Sequence, residues 1–306
     1  MFDFAPPPPE MPVPLQQSAL FNLALMRLGV DLSHHALPGG AATVLVRRVR
    51  GLGPTGVVNR GPVWNSHGDR FRVDGLAGMR RALALRHLVI NPEDVEDEAT
   101  LRAAGFVQVS KPNDVAIIQL AGGPEAWLRR MRPNWRARLN HAGGQGLVAE
   151  RHDFAPQGGH WIFERDGEAS RQMRQHRALP HQLLSEMARL EPGAVQLFLA
   201  RKGQETLAAM LFLRHGPMAS YQIGWTTKEG QRLSAHHLLM WEAMQALSAR
   251  GHKVLDMGVL ASRRGAEIDL FKLGAGAEMR RLGGSWLDSA WSGPIHAILR
   301  RIHGQV

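Results

Sequence analysis

The alternation of hydrophobic and polar positions along the chain predicts a mixed series of helices and strands. Apolar residues at helical spacing predict a helix over residues 15–28, which Gly29 ends. Short apolar runs bounded by turn residues predict strands. Three of them, at residues 195–201, 206–214 and 218–225, are joined by turns short enough for hairpins. This part of the chain is therefore predicted to form an antiparallel meander.

The same patterns predict the remaining elements. Helices are expected at residues 73–85, 93–104, 125–131, 133–141, 159–174, 180–189 and 234–250, around Phe271, and at 294–302. Strands are expected at residues 42–49, 55–59, 87–90, 106–109, 114–120, 147–151, 254–259 and 278–287. Hairpins come first and one strand–helix–strand crossover follows. The order predicts a mixed α/β (α+β) fold, in which helices flank mixed sheets.

The length of 306 residues indicates two domains. The Pro-rich start, residues 1–14, is expected to be an extended tail. The run Gly-Gly-Pro at positions 122–124 marks a plausible boundary. We therefore expect an N-terminal domain over residues 15–122 and a C-terminal domain over residues 123–306.

The segment from position 218 to 276 carries the clearest chemical signal. It reads as a strand, the polar loop TTKEGQRLS, a long amphipathic helix and a second strand. The first N–H groups of a helix have no partner inside the helix, and the macrodipole adds positive charge there, so such a turn suits a phosphate. The expected anion seat consists of the backbone at Ser234, Ala235 and His236, with Arg232 as countercharge. Alternatively, Ser234 only caps the helix.

Composition narrows the chemistry further. The formal net charge is +10, so the surface either attracts polyanions or reflects a general use of arginine. The chain has no cysteine, which excludes disulfides, a cysteine nucleophile and a thiolate zinc site. No apolar run reaches about 18 residues, and the first residues lack the pattern of a secretory signal. We expect a cytoplasmic protein with no membrane span.

Seven segments, in this order along the chain, resemble the GNAT N-acyltransferase superfamily, and more closely its FemAB-like branch with two GNAT-like domains in tandem. They are LVINPED; LRAAGF with DVAIIQL; AWLRRMRPNWRARLNHAGGQGL; the meander with SYQIGW; LSAHHLLMWEAMQALSARG; LDMG; and IDLFKLGAG. The resemblance implies a double GNAT-like fold and transfer of an acyl or aminoacyl group to an amine. It also implies acyl-CoA or aminoacyl-tRNA as co-substrate, with no tightly bound cofactor.

The donor and the acceptor stay open at the level of sequence. The superfamily often has Arg/Gln-x-x-Gly-x-Gly/Ala before its phosphate-binding helix, whereas residues 231–236 read QRLSAH without the second glycine. Acyl-CoA is the first choice of donor. Aminoacyl-tRNA is the alternative, with transfer to a cell-wall precursor or a peptide amine. A non-catalytic basic binding module is the third reading, and no DNA partner is expected.

The resemblance also indicates individual site residues. The pair Phe271-Lys272 matches a FemAB-like signature, which places Lys272 by the donor or the transferring group and Phe271 beside it. Asp256, at the end of a predicted central strand, could orient the acceptor amine or accept its proton. Tyr221, the one tyrosine, could donate to the leaving group or the oxyanion. Each also has a structural reading: a surface lysine, a turn-bound carboxylate and a packed ring.

A cluster of arginines precedes the meander. Five of them lie within ten residues, at positions 129, 130, 132, 136 and 138, and they either bind phosphates or form a solvated helix face. Arg138 fits the family pattern best and is the candidate acceptor-binding residue. No metal site is predicted, because no His pair has a carboxylate at ligand spacing. No Gly-x-Ser-x-Gly elbow occurs either.

Overall fold

The computed structural model describes residues 11–65, 69–154, 160–165, 179–260 and 266–290. The chain divides into two compact units. The first unit consists of Met1–Pro8, Leu25–Asn113 and Arg281–Val306, and the second of Pro9–Ala24 and Asp114–Arg280. These units differ from the domains expected at 15–122 and 123–306, because sheet pairing joins segments that are distant in sequence.

The strands, in chain order, are β1 (Leu32–Leu37), β2 (Gly40–Val49), β3 (Gly53–Asn59), β4 (Val63–Trp64), β5 (His87–Asn91), β6 (Val107–Ser110), β7 (Asp114–Gln119), β8 (Val148–Asp153), β9 (Val195–Lys202), β10 (Glu205–His215), β11 (Met218–Thr226), β12 (Val254–Val259), β13 (Glu278–Arg281) and β14 (Ser285–Ser289).

The helices, in chain order, are α1 (Ala19–Arg27), α2 (Asp69–Ala82), α3 (Asp97–Ala103), α4 (Gly123–Arg130), α5 (Pro133–Gly143), α6 (His181–Leu190), α7 (Lys228–Arg232), α8 (Ala235–Ala249) and α9 (Ala266–Gly274). Residues 161–165 are also helical, and Leu15–Gln17 form a 3-10 turn. None of the helices in the described ranges combines the length and the apolar character that crossing a bilayer requires.

The sheet of the first unit has the strand order β1-β2-β3-β5-β14-β6, and β4 pairs with β2. All its neighbours are antiparallel except β3 and β5. Leu76 and Met79 of α2 and Leu101 of α3 pack with Trp286 in the core of this unit. The apolar residues of these helices recur at helical spacing, so one face of each is buried.

The sheet of the second unit has the order β13-β7-β12-β11-β10-β9-β8. The predicted meander is confirmed, because β9, β10 and β11 pair antiparallel in sequence. The predicted crossover is also confirmed, since β11 and β12 are parallel and α8 connects them. Helix α8 buries an apolar face in the core of this unit. Helix α5 packs against α8 through Trp135, Leu139 and Ala142, spaced at about one helical turn.

Some predicted elements differ from the structure. The single strand expected at 278–287 is wrong: β13 pairs with β7 in the second unit, whereas β14 lies between β5 and β6 in the first. Gly283 and Gly284 separate them, and Gly284 has a φ of 78°, which only glycine adopts at little cost. The sequence pattern also missed β1. Most of the predicted helix 159–174, the helix 294–302 and the start of the tail lie outside the described residues.

Candidate active site

The site of the second unit begins where two parallel strands separate. Within the described chain, β11 and β12 pair from Met218↔Val254 to Ser220↔Asp256 and no further. Strand β11 nevertheless continues to Thr226, while β12 pairs with β7 on its other edge from Val254 to Val259. A hollow of about 710 Å³ lies beside this last part of β11. Its walls come from β11, the loop before α8, and the helices α5, α8 and α9.

The N-terminus of α8 forms one end of this hollow. Ser234, the residue before the helix, lines the hollow and makes no side-chain capping bond. Its φ of 59° lies in the left-handed region, which is uncommon for a residue other than glycine. Just before it, Thr227 caps the short helix α7 by accepting a hydrogen bond from the Gly230 N–H at 2.9 Å. The loop is thus held by its own bonds, with the positive end of α8 facing the hollow.

Tyr221 lies over the backbone of Gly224 inside the hollow. A Cβ built on Gly224 would lie 1.9 Å from the Tyr221 hydroxyl oxygen, so only glycine leaves room for this hydroxyl. The register of β10 and β11 shifts here, because Leu211 faces Ile223 whereas Phe212 faces Tyr221. One extra residue in a strand re-aims its neighbours. The hydroxyl is therefore positioned by a bulge and a glycine.

His236 is held in one tautomer beside the tyrosine. Its Nε2 lies 2.9 Å from the carbonyl oxygen of Trp225, and since a carbonyl only accepts, Nε2 carries the proton. Burial lowers the pKa of His236, and hydrogen bonds to the carbonyls of Trp225 and Ala209 oppose this effect in part. The imidazole is therefore neutral at physiological pH and acts as a polar wall.

Three more rings, those of Trp135, His237 and Phe271, form an aromatic wall of the hollow. Trp135 lies 4.9 Å from His237 and 5.9 Å from Phe271 between ring centroids, and His237 lies 5.2 Å from Phe271. Gly274 permits this packing, because a Cβ there would lie 2.8 Å from the indole. Burial is the main reason that the pKa of His237 falls to about 4, with smaller contributions from Arg138 and His236. The wall is thus uncharged.

The clustered arginines separate into two groups. Arg130 and Arg136 donate to the backbone carbonyls of Gln119 and Leu128. Arg129 is exposed and faces Glu125 at 4.0 Å. Arg132 and Arg138 line the hollow, and neither guanidinium has a hydrogen bond or an ion pair in the part of the chain that the structure describes. Arg132 immediately precedes α5, and Arg138 lies about one helical turn after Trp135.

Lys272 and Asp256 are buried and are not among the residues that line the hollow. The buried Lys272 ammonium donates to the carbonyl of Val259 at 2.8 Å, and the Asp256 carboxylate accepts from the Gly258 N–H at 2.7 Å. Burial lowers the pKa of Lys272, while Asp269 and Asp256 act in the opposite direction. Both side chains bind the end of β12, where it leaves β11.

Five of the nine site residues that the sequence indicated line the hollow. Its walls include Arg138, Tyr221, Ser234, His236 and Phe271. Among the described residues, the walls do not include Ala235, which is buried in the core, or Arg232, Asp256 and Lys272. Arg232 instead forms a two-point pair with Glu229, at 2.8 and 2.6 Å, on the outside of the loop.

Sequence reasoning did not single out Trp135, His237, Arg132 or Gly224 as site residues. The position of Trp135 about one helical turn before Arg138 was a usable signal for Trp135. Nothing in the sequence marks Gly224, since its role depends on where the Tyr221 hydroxyl lies. In the described ranges, no cluster of three or more His, Asp or Glu side chains is arranged to hold a metal ion.

Comparisons with known proteins concern the fold that holds this site. Residues 125–268, a little under half of the chain, match the model of the acetyltransferase (GNAT) domain. The crystal structure of FemX superposes with a TM-score of 0.73 at 14% identity, covering 93% of this chain and 94% of FemX. L-PGS from Bacillus licheniformis gives 0.54 at 15% identity, covering 97% and 99%.

A tandem GNAT protein from the clavulanic acid biosynthesis pathway gives a TM-score of 0.50 at 12% identity, covering 93% of this chain and 90% of that protein. No sequence among curated proteins matches. The expected mixed α/β architecture with two GNAT-like domains is confirmed. Residues 125–268 are thus similar to a GNAT acetyltransferase domain, and the chain as a whole has the FemAB-like GNAT fold.

Proposed function

We propose that this protein is an N-acyltransferase that moves an acyl group from a phosphate-bearing donor, with acyl-CoA as first choice, to an acceptor amine. The observation that carries this proposal is the hollow beside β11, which Tyr221, the N-terminus of α8 and Arg138 line together. Two substrates held side by side there gain much of the rate from proximity, because effective molarities reach on the order of 10⁵ M or more.

The proposed chemistry needs a hydrogen-bond donor at the point where negative charge develops. As the amine adds to the donor carbonyl, its oxygen becomes anionic, and a positioned hydroxyl stabilises that charge or protonates the leaving group. Tyr221 is the hydroxyl that the bulge and Gly224 fix inside the hollow. His236 donates its Nε2 proton to the carbonyl of Trp225. In this proposal the attacking amine loses its proton to water.

The donor phosphate is proposed to occupy the end of the hollow at Ser234. Helix N-termini bind anions through free N–H groups and the dipole, and this one opens into a cavity. Arg232 pairs with Glu229 and does not line the hollow, so this proposal gives it no direct contact with the phosphate. Lys272 and Asp256 are proposed to fix the end of β12 rather than to touch the donor.

A matched pair of substitutions tests the phosphate seat. Gln231 lines the hollow, whereas Gln204 lies in the exposed hairpin between β9 and β10. Gln231→Glu adds a negative charge beside the seat and is expected to weaken CoA binding about fivefold to tenfold at low salt. Gln204→Glu makes the same change elsewhere and should leave the affinity unaltered. Equal affinities for the two variants would move the donor out of this hollow.

Aminoacyl-tRNA is the second candidate donor, and one observation favours it. Arg132 and Arg138 present guanidinium groups at the hollow that are unpaired in the described part of the chain, and such groups suit an RNA backbone. Transfer that requires aminoacyl-tRNA and stops after RNase treatment would establish it. Thermal stabilisation by CoA, together with transfer from acetyl-CoA, would establish the first candidate. Salt-sensitive RNA binding without any turnover would indicate a binding module.

A further inference from the structure

The aromatic wall of the hollow has the properties of a side-chain subsite. Trp135, His237 and Phe271 present ring surfaces, and the partly exposed Ile268 and Leu270 extend this apolar surface to the mouth. A wall of this size is larger than an acetyl group needs. Apolar surface around a cavity gains most from an apolar ligand group that displaces its water.

A polar atom within this wall is unsatisfied. Trp135 is 4% exposed, and its indole Nε1 has no hydrogen-bond partner in the described residues. Buried polar atoms without a partner are rare in folded proteins and often mark a place for a ligand or a water. A ligand with polar atoms next to its apolar group would satisfy this indole nitrogen.

Charge at the rim indicates what accompanies the apolar group. Arg132, just before α5, and Arg138, one turn after Trp135, line the hollow with it, and neither guanidinium has a partner in the part of the chain that the structure describes. A guanidinium is a two-point donor that fits a carboxylate. The exposed carboxylate of Glu267 lies at the same hollow and offers a counterion to an ammonium group.

We propose that the acceptor amine is an apolar α-amino acid, with its side chain on the aromatic wall and its carboxylate on Arg132 and Arg138. This identification rests on the proposed acyltransferase function, whose acceptor it names. An amino acid combines the three groups that the hollow can recognise: an apolar side chain, a carboxylate and an amine. The amine then projects from the wall toward Tyr221 and the donor carbonyl.

Binding in the absence of any donor tests the proposal independently of turnover. Calorimetric titration of the full chain with L-phenylalanine should show saturable binding. L-Alanine should bind at least tenfold more weakly, because it cannot cover the rings. L-Phenylalaninamide, which keeps the ring and the amine but lacks the carboxylate, should also bind at least tenfold more weakly. The amide further distinguishes a free amino acid from the amino end of a peptide.

Arg138→Gln and Arg129→Gln form the matched pair of variants. Arg129 lies on the neighbouring helix, is exposed and faces only Glu125 among the groups the structure describes, so its loss removes the same charge outside the hollow. Arg138→Gln should weaken phenylalanine at least tenfold and leave phenylalaninamide nearly unchanged, whereas Arg129→Gln should change neither affinity.

Equal binding of phenylalanine and its amide, equal effects of the two substitutions, or equal binding of alanine would overturn the proposal. Turnover of other amines without any binding of apolar amino acids would also overturn it, while the acyltransferase function stood. Carboxylate-dependent phenylalanine binding without turnover from any acyl donor would uphold the subsite and refute the proposed function instead.

Discussion

Replacing Gly224 by alanine offers a way to move the Tyr221 hydroxyl without removing it. The added Cβ would lie 1.9 Å from the hydroxyl oxygen and 3.1 Å from the ring carbon that bears it. The first separation is far inside van der Waals contact, so the ring has to move. The clash is with the far end of a half-buried side chain, and an off-rotamer ring costs about 1 kcal/mol. The free energy of unfolding should therefore fall by only about that amount.

The effect on catalysis should be much larger than the effect on stability. If the hydroxyl stabilises the developing charge, both Gly224→Ala and Tyr221→Phe should lower kcat about 100-fold. Thermal unfolding by circular dichroism checks the fold, and initial rates of acyl transfer at saturating donor check kcat. Gly143→Ala is the control, because a Cβ on this helical glycine meets nothing within 4 Å.

The double variant makes this test decisive. Both substitutions act on one hydroxyl, so adding Gly224→Ala to Tyr221→Phe should not reduce kcat further. The coupling between the two sites should then equal the whole effect of one substitution, about 3 kcal/mol for a 100-fold change. Full additivity of the two losses would refute the reasoning. So would an unchanged kcat in Gly224→Ala, because a displaced hydroxyl cannot be the positioned donor.

Three further predictions concern buried ionisable groups. Lys272→Ala should lower Tm and kcat together, because it removes the bond to the end of β12, whereas Lys272→Gln, whose neutral amide N–H can still donate to Val259, should retain kcat; a low kcat at normal Tm in Lys272→Gln would give the ammonium a chemical role. His252 accepts from Arg214 at 2.9 Å, and burial is the main reason that its pKa falls to about 4, so the fold favours its neutral form. The free energy of unfolding should decline by about 3 kcal/mol between pH 6.5 and pH 4, and a decline of unchanged size in His252→Asn would contradict this. Burial raises the pKa of Asp97 to about 6, against a hydrogen bond from Trp64, so the fold favours its protonated form. This carboxyl alone should make stability fall by about 2 kcal/mol as the pH rises from 4 to 6, and urea titrations of Asp97→Asn should lack that slope.

The elements with a strong periodic pattern could be predicted from sequence. The meander and the crossover through α8 depend on short turns and on an apolar helix face, which are local properties. The assignment of strands to sheets could not be predicted in the same way. Strands β13 and β14 are separated by three residues and lie in different sheets, because their partners β7 and β5 come from distant parts of the chain. Pairing over such distances leaves no mark in a local window.

The candidate site shows the same division. A polar loop before an amphipathic helix predicted an anion seat at the start of α8, and the structure shows that Ser234 and His236 line a hollow there. The pattern could not show the direction of a side chain on the helix that follows. Phe271 turns into the hollow, whereas its neighbour Lys272 turns away to the carbonyl of Val259. Adjacent helical residues point about 100° apart, so a two-residue motif cannot place both side chains in one site.

The backbone conformation weakens the argument that residues 231–236, which depart from the glycine pattern of the superfamily, cannot hold a phosphate. Ser234 has a φ of 59°, so it keeps the left-handed conformation that a glycine would adopt, and it bears the strain of its Cβ. A strained residue persists where its surroundings hold it, and such positions concentrate at functional sites. The side chain of His236 bonds to Trp225 as a neutral group and leaves the end of α8 without an added charge. These two positions therefore differ from the superfamily pattern, but the positive end of the helix faces the hollow, which is the property that an anionic donor requires.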